Sequence, residues 1–528
     1  MLAVLPHALV AACVVLVGLP MLNFPLGPDQ AIFATVGKVV WEGGFPYTDA
    51  WDQKPPSIYF IYAFAIHGPL GVMKMVRVFD LLWLAATVAA LVELGRRWWS
   101  LRAGVSAGLC YGLIYVTTSA YWHSAQPDGF IGLPLALALL LYDRARGRFG
   151  WLVCAGVLLG FAFQLRFISA LLIPFFPLVE LAAVPRGRKL RTWLRRMLAL
   201  GAGFAAFQAA VLAYLTLGGA LGEYIAATRW AGAYTKLGGP YSPEGLTWSN
   251  YWPAVRFSFL FWMLGRLLLT APAVAGALVG VFIVKERRVQ QVVLFVALAY
   301  LGIAAQAKFF TYHYFYLLLP AALLAGWAWD RCFGALRRSL ATGAARAASA
   351  VIVALLALST PEVLDVAIAQ WRSNIAYYRD PDDRESFFDY FGPWNGGSFS
   401  YLASAATADY IAVRTRPEDT IYVWGYDPLV YLLAQREPAS RFIYSFPLMT
   451  NWSPPHWKAE FIADLERRAP LYFLVQRYEG ARWITGLTVD SGEYIAWFPA
   501  LERVLAEDYT LEAEIEDFLI YRRVAGSG

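Results

Sequence analysis

Residues 28–57 read PDQAIFATVGKVVWEGGFPYTDAWDQKPPS, directly after an apolar segment running roughly from Leu2 to Leu22. Asp29, Glu42, Asp49 and Asp52 crowd together with Lys38 and Lys54 beside a hydrophobic wall, where plain anchoring needs few charges. Charge held near hydrocarbon is costly, so such a cluster at a membrane face is read as a functional site. Outward from it the chain is mostly membrane-like. Hydrophobic residues make up 59% of the 528 positions, charged residues 16%, and mean hydropathy is +0.48. That is the composition of a polytopic α-helical membrane protein. The formal charge of +6 sits in short loops and reports topology. No soluble segment carries a basic stripe with interleaved aromatics, so nucleic acid is not an expected partner. The first apolar segment lacks a small-residue cleavage site and is expected to be retained as a helix. Cys13, Cys110, Cys154 and Cys332 are scattered without metal-ligand spacing, which argues against a disulfide framework and a cysteine metal site.

A spanning helix needs about 20 mostly apolar residues. That criterion predicts about eleven spans, near 3–23, 76–95, 103–121, 129–142, 150–165, 167–184, 197–217, 266–284, 290–307, 313–330 and 347–361. Basic clusters then fall in every second loop: Arg96, Arg97 and Arg102; Arg144, Arg146 and Arg148; Arg186 to Arg196; Lys285, Arg287 and Arg288; Arg331, Arg337 and Arg338. The positive-inside rule places those loops and the N-terminus in the cytoplasm. The alternation holds only if the short run Ser57 to Leu70 does not span. Residues 24–75 are therefore expected outside as one loop, with juxtamembrane helices lying along the bilayer. Asp29, Lys54, Asp128, Arg166, Lys308 and His313 all fall on that outer face, although charge asymmetry set the topology without reference to them.

Beyond residue 362 the chain changes character. Acids outnumber bases, and turn-rich stretches (RDPDDRES, GPWNGGS, NWSPPH) interrupt the apolar runs. β-rich runs at 420–425, 441–446, 470–476 and 518–523 alternate with helical patterns at 403–415 and 457–468. This predicts a small α/β domain with a mainly parallel sheet, on the outer side because the crossing number is odd. The expected organisation is a transmembrane core over 1–362 and an extracytoplasmic α/β domain over 363–528. WGYDP at 424–428 is not a Gly-rich phosphate fingerprint, so no nucleotide site is expected there.

Several pieces together resemble the polyprenyl-phosphate-sugar-dependent glycosyltransferases of the C superfamily, which include protein O-mannosyltransferases and bacterial aminoarabinose transferases. They are Pro28-Asp29-Gln30; Tyr47-Thr48-Asp49-Ala50-Trp51-Asp52-Gln53-Lys54-Pro55-Pro56; Gln126-Pro127-Asp128; and Lys308-Phe309-Phe310-Thr311-Tyr312-His313-Tyr314 leading into a span with Pro320. The resemblance covers roughly residues 1–330. Many members have Asp-Glu where this chain has Asp29-Gln30, and Glu-Lys-Pro-Pro where it has Gln53-Lys54-Pro55-Pro56. The resemblance implies a lipid-phosphate sugar donor, an acceptor hydroxyl that attacks the anomeric carbon from the opposite face, and polyprenyl phosphate as leaving group. Such chemistry needs a carboxylate for the hydroxyl proton and cations for the phosphate.

Each candidate also has a plainer reading. Asp29 is either a helix N-cap after Gly27-Pro28 or the catalytic base, and the resemblance favours the base. Lys54, before two prolines, is a donor-phosphate ligand or a snorkelling lysine. Asp49 and Asp52 orient Lys54, touch sugar or metal, or are simply solvated. Tyr47 and Trp51 stack on a sugar or mark the aromatic belt. Asp128 caps its helix or joins the site; Arg166 binds phosphate or anchors the interface. Lys308, Tyr312 and His313 form a polar knot between spans, with Lys308 and His313 as phosphate donors, and His123 is read as structural. Asp29, Asp128 and His313 leave a divalent metal open, although none is expected to be required.

The resulting expectation is an inverting glycosyltransferase of a bacterial inner membrane, with a polyprenyl-phosphate-linked sugar as donor and a glycan, lipid or protein as acceptor. The alternatives are a lipid-pyrophosphate-dependent oligosaccharide transferase or ligase, a lipid or sugar transporter, and an envelope-binding scaffold on an inactive core.

Overall fold

The computed structural model describes residues 4–118, 121–145, 148–183, 189–239, 245, 247–339, 363–389, 391, 399–479 and 482–524. The expected span 347–361 and the GPWNGGS turn lie outside them. The chain forms two compact units. One comprises Met1–Leu22, Arg77–Val211 and Tyr251–Arg372; the other comprises Asn23–Val76, Leu212–Asn250 and Ser373–Gly528.

Helices dominate the first unit. Among the described residues, four helices are long and apolar enough to cross a membrane: Leu5–Asn23, Val72–Trp98, Leu190–Leu217 and Arg287–Gln306. A further pair, Trp248–Leu264 and Leu267–Ile283, is bent by 108° at its break, and the expected span 266–284 corresponds to its second member. The run expected as one span over 167–184 is instead a 3-10 turn, Phe167–Leu172, followed by the helix Phe175–Ala183. Pro174 and Pro177 explain the break, since proline withholds a helix donor and its ring crowds the preceding turn. Small residues let these helices pack closely. A Cβ on Gly156 would lie 2.0 Å from the Leu200 carbonyl oxygen, and one on Gly203 would lie 1.9 Å from that of Val153. Between apolar helices, such backbone proximity recovers van der Waals contact where hydrophobic driving force is weak.

The second unit joins the charged segment after the first helix to the C-terminal chain. Its helices Pro28–Trp41 and Ser57–Ala65 pack together. They approach so closely that a Cβ on Gly37 would meet the Ala63 nitrogen at 2.9 Å. The sheet contains β1 (Ile421–Trp424), β2 (Tyr472–Gln476), β3 (Tyr509–Ile515) and β4 (Phe518–Arg523) in the order β1-β2-β4-β3. β1 pairs with β2 in parallel, Ile421 opposite Tyr472, while β2–β4 and β3–β4 are antiparallel. The sheet is therefore mixed and not mainly parallel. Two local causes account for the difference. The run 441–446 is not a strand, because its backbone bonds elsewhere: the Arg441 carbonyl accepts from Trp51 N at 2.7 Å, and Ser445 N donates to the Gly425 carbonyl at 2.9 Å. β3, which the sequence reading does not include, is mostly exposed and half-exposed along its length and pairs with β4 as a hairpin. The helical patterns at 403–415 and 457–468 correspond to Tyr401–Ala412 and Pro455–Arg468.

Candidate functional site

In the second unit, Asp29 occupies the second position of the helix Pro28–Trp41, whose N-cap is Gly27. It is thus not the cap residue. The capping role falls to Gln30, buried, whose Oε1 accepts from Gly27 N at 2.5 Å. An amide does this as well as an acid, which gives the Asp-Gln departure a structural reason. Relieved of capping, the Asp29 carboxylate accepts a hydrogen bond from the Tyr426 hydroxyl at 2.6 Å. It also lies at the positive end of the helix, where negative charge is stabilised.

Asp52 lies in the same unit. It is buried and accepts from Tyr59 Oη at 2.8 Å and Tyr444 Oη at 3.0 Å. Burial pushes its carboxyl above the usual range; Lys54 pulls the other way, and the charge of Asp29 adds a smaller upward push. Lys54 is half-buried, and its carbonyl accepts from Tyr47 Oη at 2.8 Å and Tyr59 Oη at 3.0 Å, so the lysine backbone is pinned. Asp49 is exposed and accepts from Phe45 N at 2.7 Å, holding its own turn. Tyr47 and Trp51 are fully buried, which places neither at an aromatic belt nor open for stacking on a sugar. Trp51 packs against Trp230, Tyr444 and Trp457 instead. Arg441 ties this loop down. It donates to the Tyr47 carbonyl at 2.6 Å and Glu223 at 2.9 Å, and grips Glu460 through Nε at 2.5 Å and Nη2 at 2.8 Å.

The first unit gathers the other candidates. Asp128 sits on the short helix Pro127–Phe130, 1% exposed, with Arg166 Nε 3.3 Å from its Oδ1. Arg166 also donates to Gln306, two residues before Lys308. Lys308 is 2% exposed and lies between Ala307 and Phe309, both left-handed with φ of 56° and 52°. Such conformations cost energy in non-glycine residues and collect at functional sites. Burial lowers the Lys308 amine to about 7. The turn Thr311–Tyr314 packs on the Asp128 helix and carries buried Tyr312 and His313, whose rings meet edge to face at 4.8 Å. His123 is lowered to about 3 by burial and by the Arg266 charge, so it stays neutral at physiological pH. The loop leading to Asp128 is braced by buried Arg77, which donates to Ser124 Oγ at 2.6 Å and to the Tyr121 carbonyl at 3.0 Å.

Each unit therefore assembles its own set: Asp29, Asp52 and Lys54 in one, and Asp128, Arg166, Lys308, Tyr312 and His313 in the other. Among the described residues, no group of three or more His, Cys, Asp or Glu is placed to hold a metal ion. Sequence reading missed Tyr426, Tyr444, Tyr59, Gln306, Arg77 and Arg266. Tyr426 lies in the WGYDP run, where an exposed-looking turn next to an apolar strand was the available signal. Arg266, buried at the break of the bent helix pair, was hidden by being counted as a span's first residue.

Comparison with known proteins agrees with the resemblance. The profile of dolichyl-phosphate-mannose-protein mannosyltransferases matches residues 53–218. The fold is similar to that of ArnT from Cupriavidus metallidurans bound to undecaprenyl phosphate (14% identity, 98% of both chains, TM-score 0.59). It is also similar to ArnT in the apo state (13% identity, 98% of this chain and 97% of the other, TM-score 0.53). The oligosaccharyltransferase of Archaeoglobus fulgidus in the apo form is similar too (14% identity, 99% of this chain and 75% of the other, TM-score 0.52). These are membrane glycosyltransferases of the C superfamily. No curated protein sequence matches the chain at a significant level.

Proposed function

We propose that this chain is an inverting glycosyltransferase that moves a sugar from a polyprenyl-phosphate donor to an envelope acceptor, whether lipid, polysaccharide or protein. The observation that carries the reading is Asp29: a carboxylate at the positive end of a helix, released from capping by Gln30 and aimed by Tyr426. The fold shared with an undecaprenyl-phosphate-bound transferase supports it. In the proposed reaction the acceptor oxygen attacks the anomeric carbon as its proton passes to Asp29. The bond from that carbon to the phosphate oxygen breaks, and polyprenyl phosphate leaves with the electron pair. Single displacement inverts the centre. Lys54, Arg166, Lys308 and His313 stabilise the phosphate. Asp52, Asp49, Asp128 and Tyr312 order the residues around them. We place the protein in a bacterial inner membrane with about eleven spans, N-terminus inside, the segment 363–528 outside as an acceptor-shaping domain, and no required metal.

The test offers a panel of labelled polyprenyl-phosphate sugars and envelope extracts to wild type and Asp29→Asn in nanodiscs. Wild type alone is expected to transfer label and release polyprenyl phosphate, while the variant still binds donor. Near-normal turnover by the variant sinks the assignment. A second reading, a lipid-pyrophosphate donor, draws on the likeness to the archaeal oligosaccharyltransferase fold. Release of lipid pyrophosphate, identified by mass spectrometry, would select it.

A further inference from the structure

We infer that Tyr426, contributed by the C-terminal part of the chain, is the positioning residue of Asp29, holding its carboxylate oriented for proton abstraction. The inference rests on the reading of Asp29 as the base, and it gives the C-terminal segment a part in the chemistry beyond shaping an acceptor cleft.

The geometry is specific. The Tyr426 hydroxyl donates to Asp29 Oδ1 at 2.6 Å across 397 positions of sequence. The tyrosine is held at both ends. Its ring stacks on Phe446 at 4.5 Å and 7°, with Tyr444 edge-on at 5.5 Å. Its backbone nitrogen donates to Gln476 Oε1 at 2.8 Å, and Gln476 donates in turn to Asp517 at 3.1 Å. A ring fixed this way cannot readily swing its hydroxyl elsewhere, so the hydrogen bond directs the carboxylate more than the carboxylate directs the tyrosine. Tyr444 repeats the arrangement one step away, donating to Asp52 at 3.0 Å. Two tyrosines from one C-terminal stretch thus serve two carboxylates of one N-terminal loop. Among the titratable groups here, Tyr426 bonds Asp29, Tyr444 and Asp52 interact with it electrostatically, and Lys54 and Tyr59 face Asp52.

Tyr426→Phe keeps the ring and removes the donor. It is expected to lower kcat about tenfold or more with the donor KM unchanged. Tyr410→Phe, which removes an exposed hydrogen bond to Glu512 in the same unit, serves as control and is expected to leave kcat and KM in place. A second measurement is independent of turnover and of how the Phe variant folds. With 3-fluorotyrosine at position 426, the 19F chemical shift is expected to move when Asp29 is changed to Ala, because the acceptor of the phenol hydrogen bond is lost. An unchanged kcat, or a fluorine shift indifferent to Asp29→Ala, overturns the inference. Loss confined to acceptor KM also overturns it, and assigns Tyr426 to acceptor binding. If wild type transfers no sugar at all, the proposed reaction falls and takes the catalytic role with it. The fluorine shift then still reports the pair itself.

Discussion

Lys308 offers a prediction whose size follows from its burial. Its amine sits at about 7 because it is withdrawn from water, so near neutral pH the free protein carries roughly half a charge there. A polyprenyl-phosphate sugar is a phosphodiester with one negative charge across this whole range, so the donor itself adds no titration. If Lys308 grips that phosphate, the complex holds a proton that the free protein has lost, and affinity falls tenfold for each pH unit above 7 until the amine of the complex titrates. With the bound amine restored toward its ordinary ~10.4, affinity at pH 9 is about 100-fold below that at pH 6, or about 2.7 kcal/mol. Asp29→Asn protein in nanodiscs permits the measurement without turnover, using the donor that the transfer assay identifies. Calorimetry in two buffers of different ionisation enthalpy is expected to show uptake of about half a proton at pH 7. Lys308→Arg flattens the dependence while keeping affinity; Lys308→Met flattens it at low affinity. A wild-type affinity that is level from pH 6 to pH 9 refutes the reasoning. The same amine sets a stability trend of known sign. The unfolded chain binds the extra proton between 7 and ~10.4, so stability rises with pH across that window, and Lys308→Met removes this contribution.

Further predictions concern the supporting structure. Arg166→Leu or Asp128→Leu alone, each leaving a buried charge deprived of its ion-pair partner, is expected to cost about 3–5 kcal/mol, whereas the double change costs less than the two combined; reversible unfolding in mixed micelles measures the cycle. Arg441→Met releases Glu460, Glu223 and the Tyr47 carbonyl at once and is expected to destabilise by about 2–4 kcal/mol, discounted from a fully buried pair because Glu460 and Glu223 remain partly exposed. Trp51 fluorescence, isolated by replacing other tryptophans, should red-shift as its loop loosens. Excess EDTA is expected to leave transfer unchanged; loss of activity restored by Mg²⁺ or Ca²⁺ would reverse the proposal that no metal is required.

The candidate residues are legible in the sequence because their chemistry is written locally. Asp29, Lys54, Asp128, Arg166 and Lys308 announce themselves as charges where hydrocarbon disfavours them, and the topology expected from loop arginines would align them without reference to their chemistry. The juxtamembrane reading of Ser57–Leu70 rested on length, and a helix of nine residues, Ser57–Ala65, occupies the start of it. The aromatic residues were harder. Trp51 and Tyr47 carry the composition of an interfacial belt, yet both are buried, because whether an aromatic meets water depends on what covers it: here Trp230, Trp457 and Tyr444.

Composition and periodicity by themselves determined a helical membrane core, a β-containing C-terminal part and the identity of the charged candidates, since these depend on transfer free energies and repeats that each short stretch carries within itself. The tertiary structure decided the rest. It made the sheet mixed, because strand direction depends on pairing partners and not on the strand. It gave the cap to Gln30 and so freed Asp29. It brought Tyr426 and Tyr444 to two carboxylates nearly four hundred residues away, and Gln306 to Arg166. Hydrogen bonds of that span leave no local trace, because their energy depends on distance in space and no term in it depends on separation along the chain.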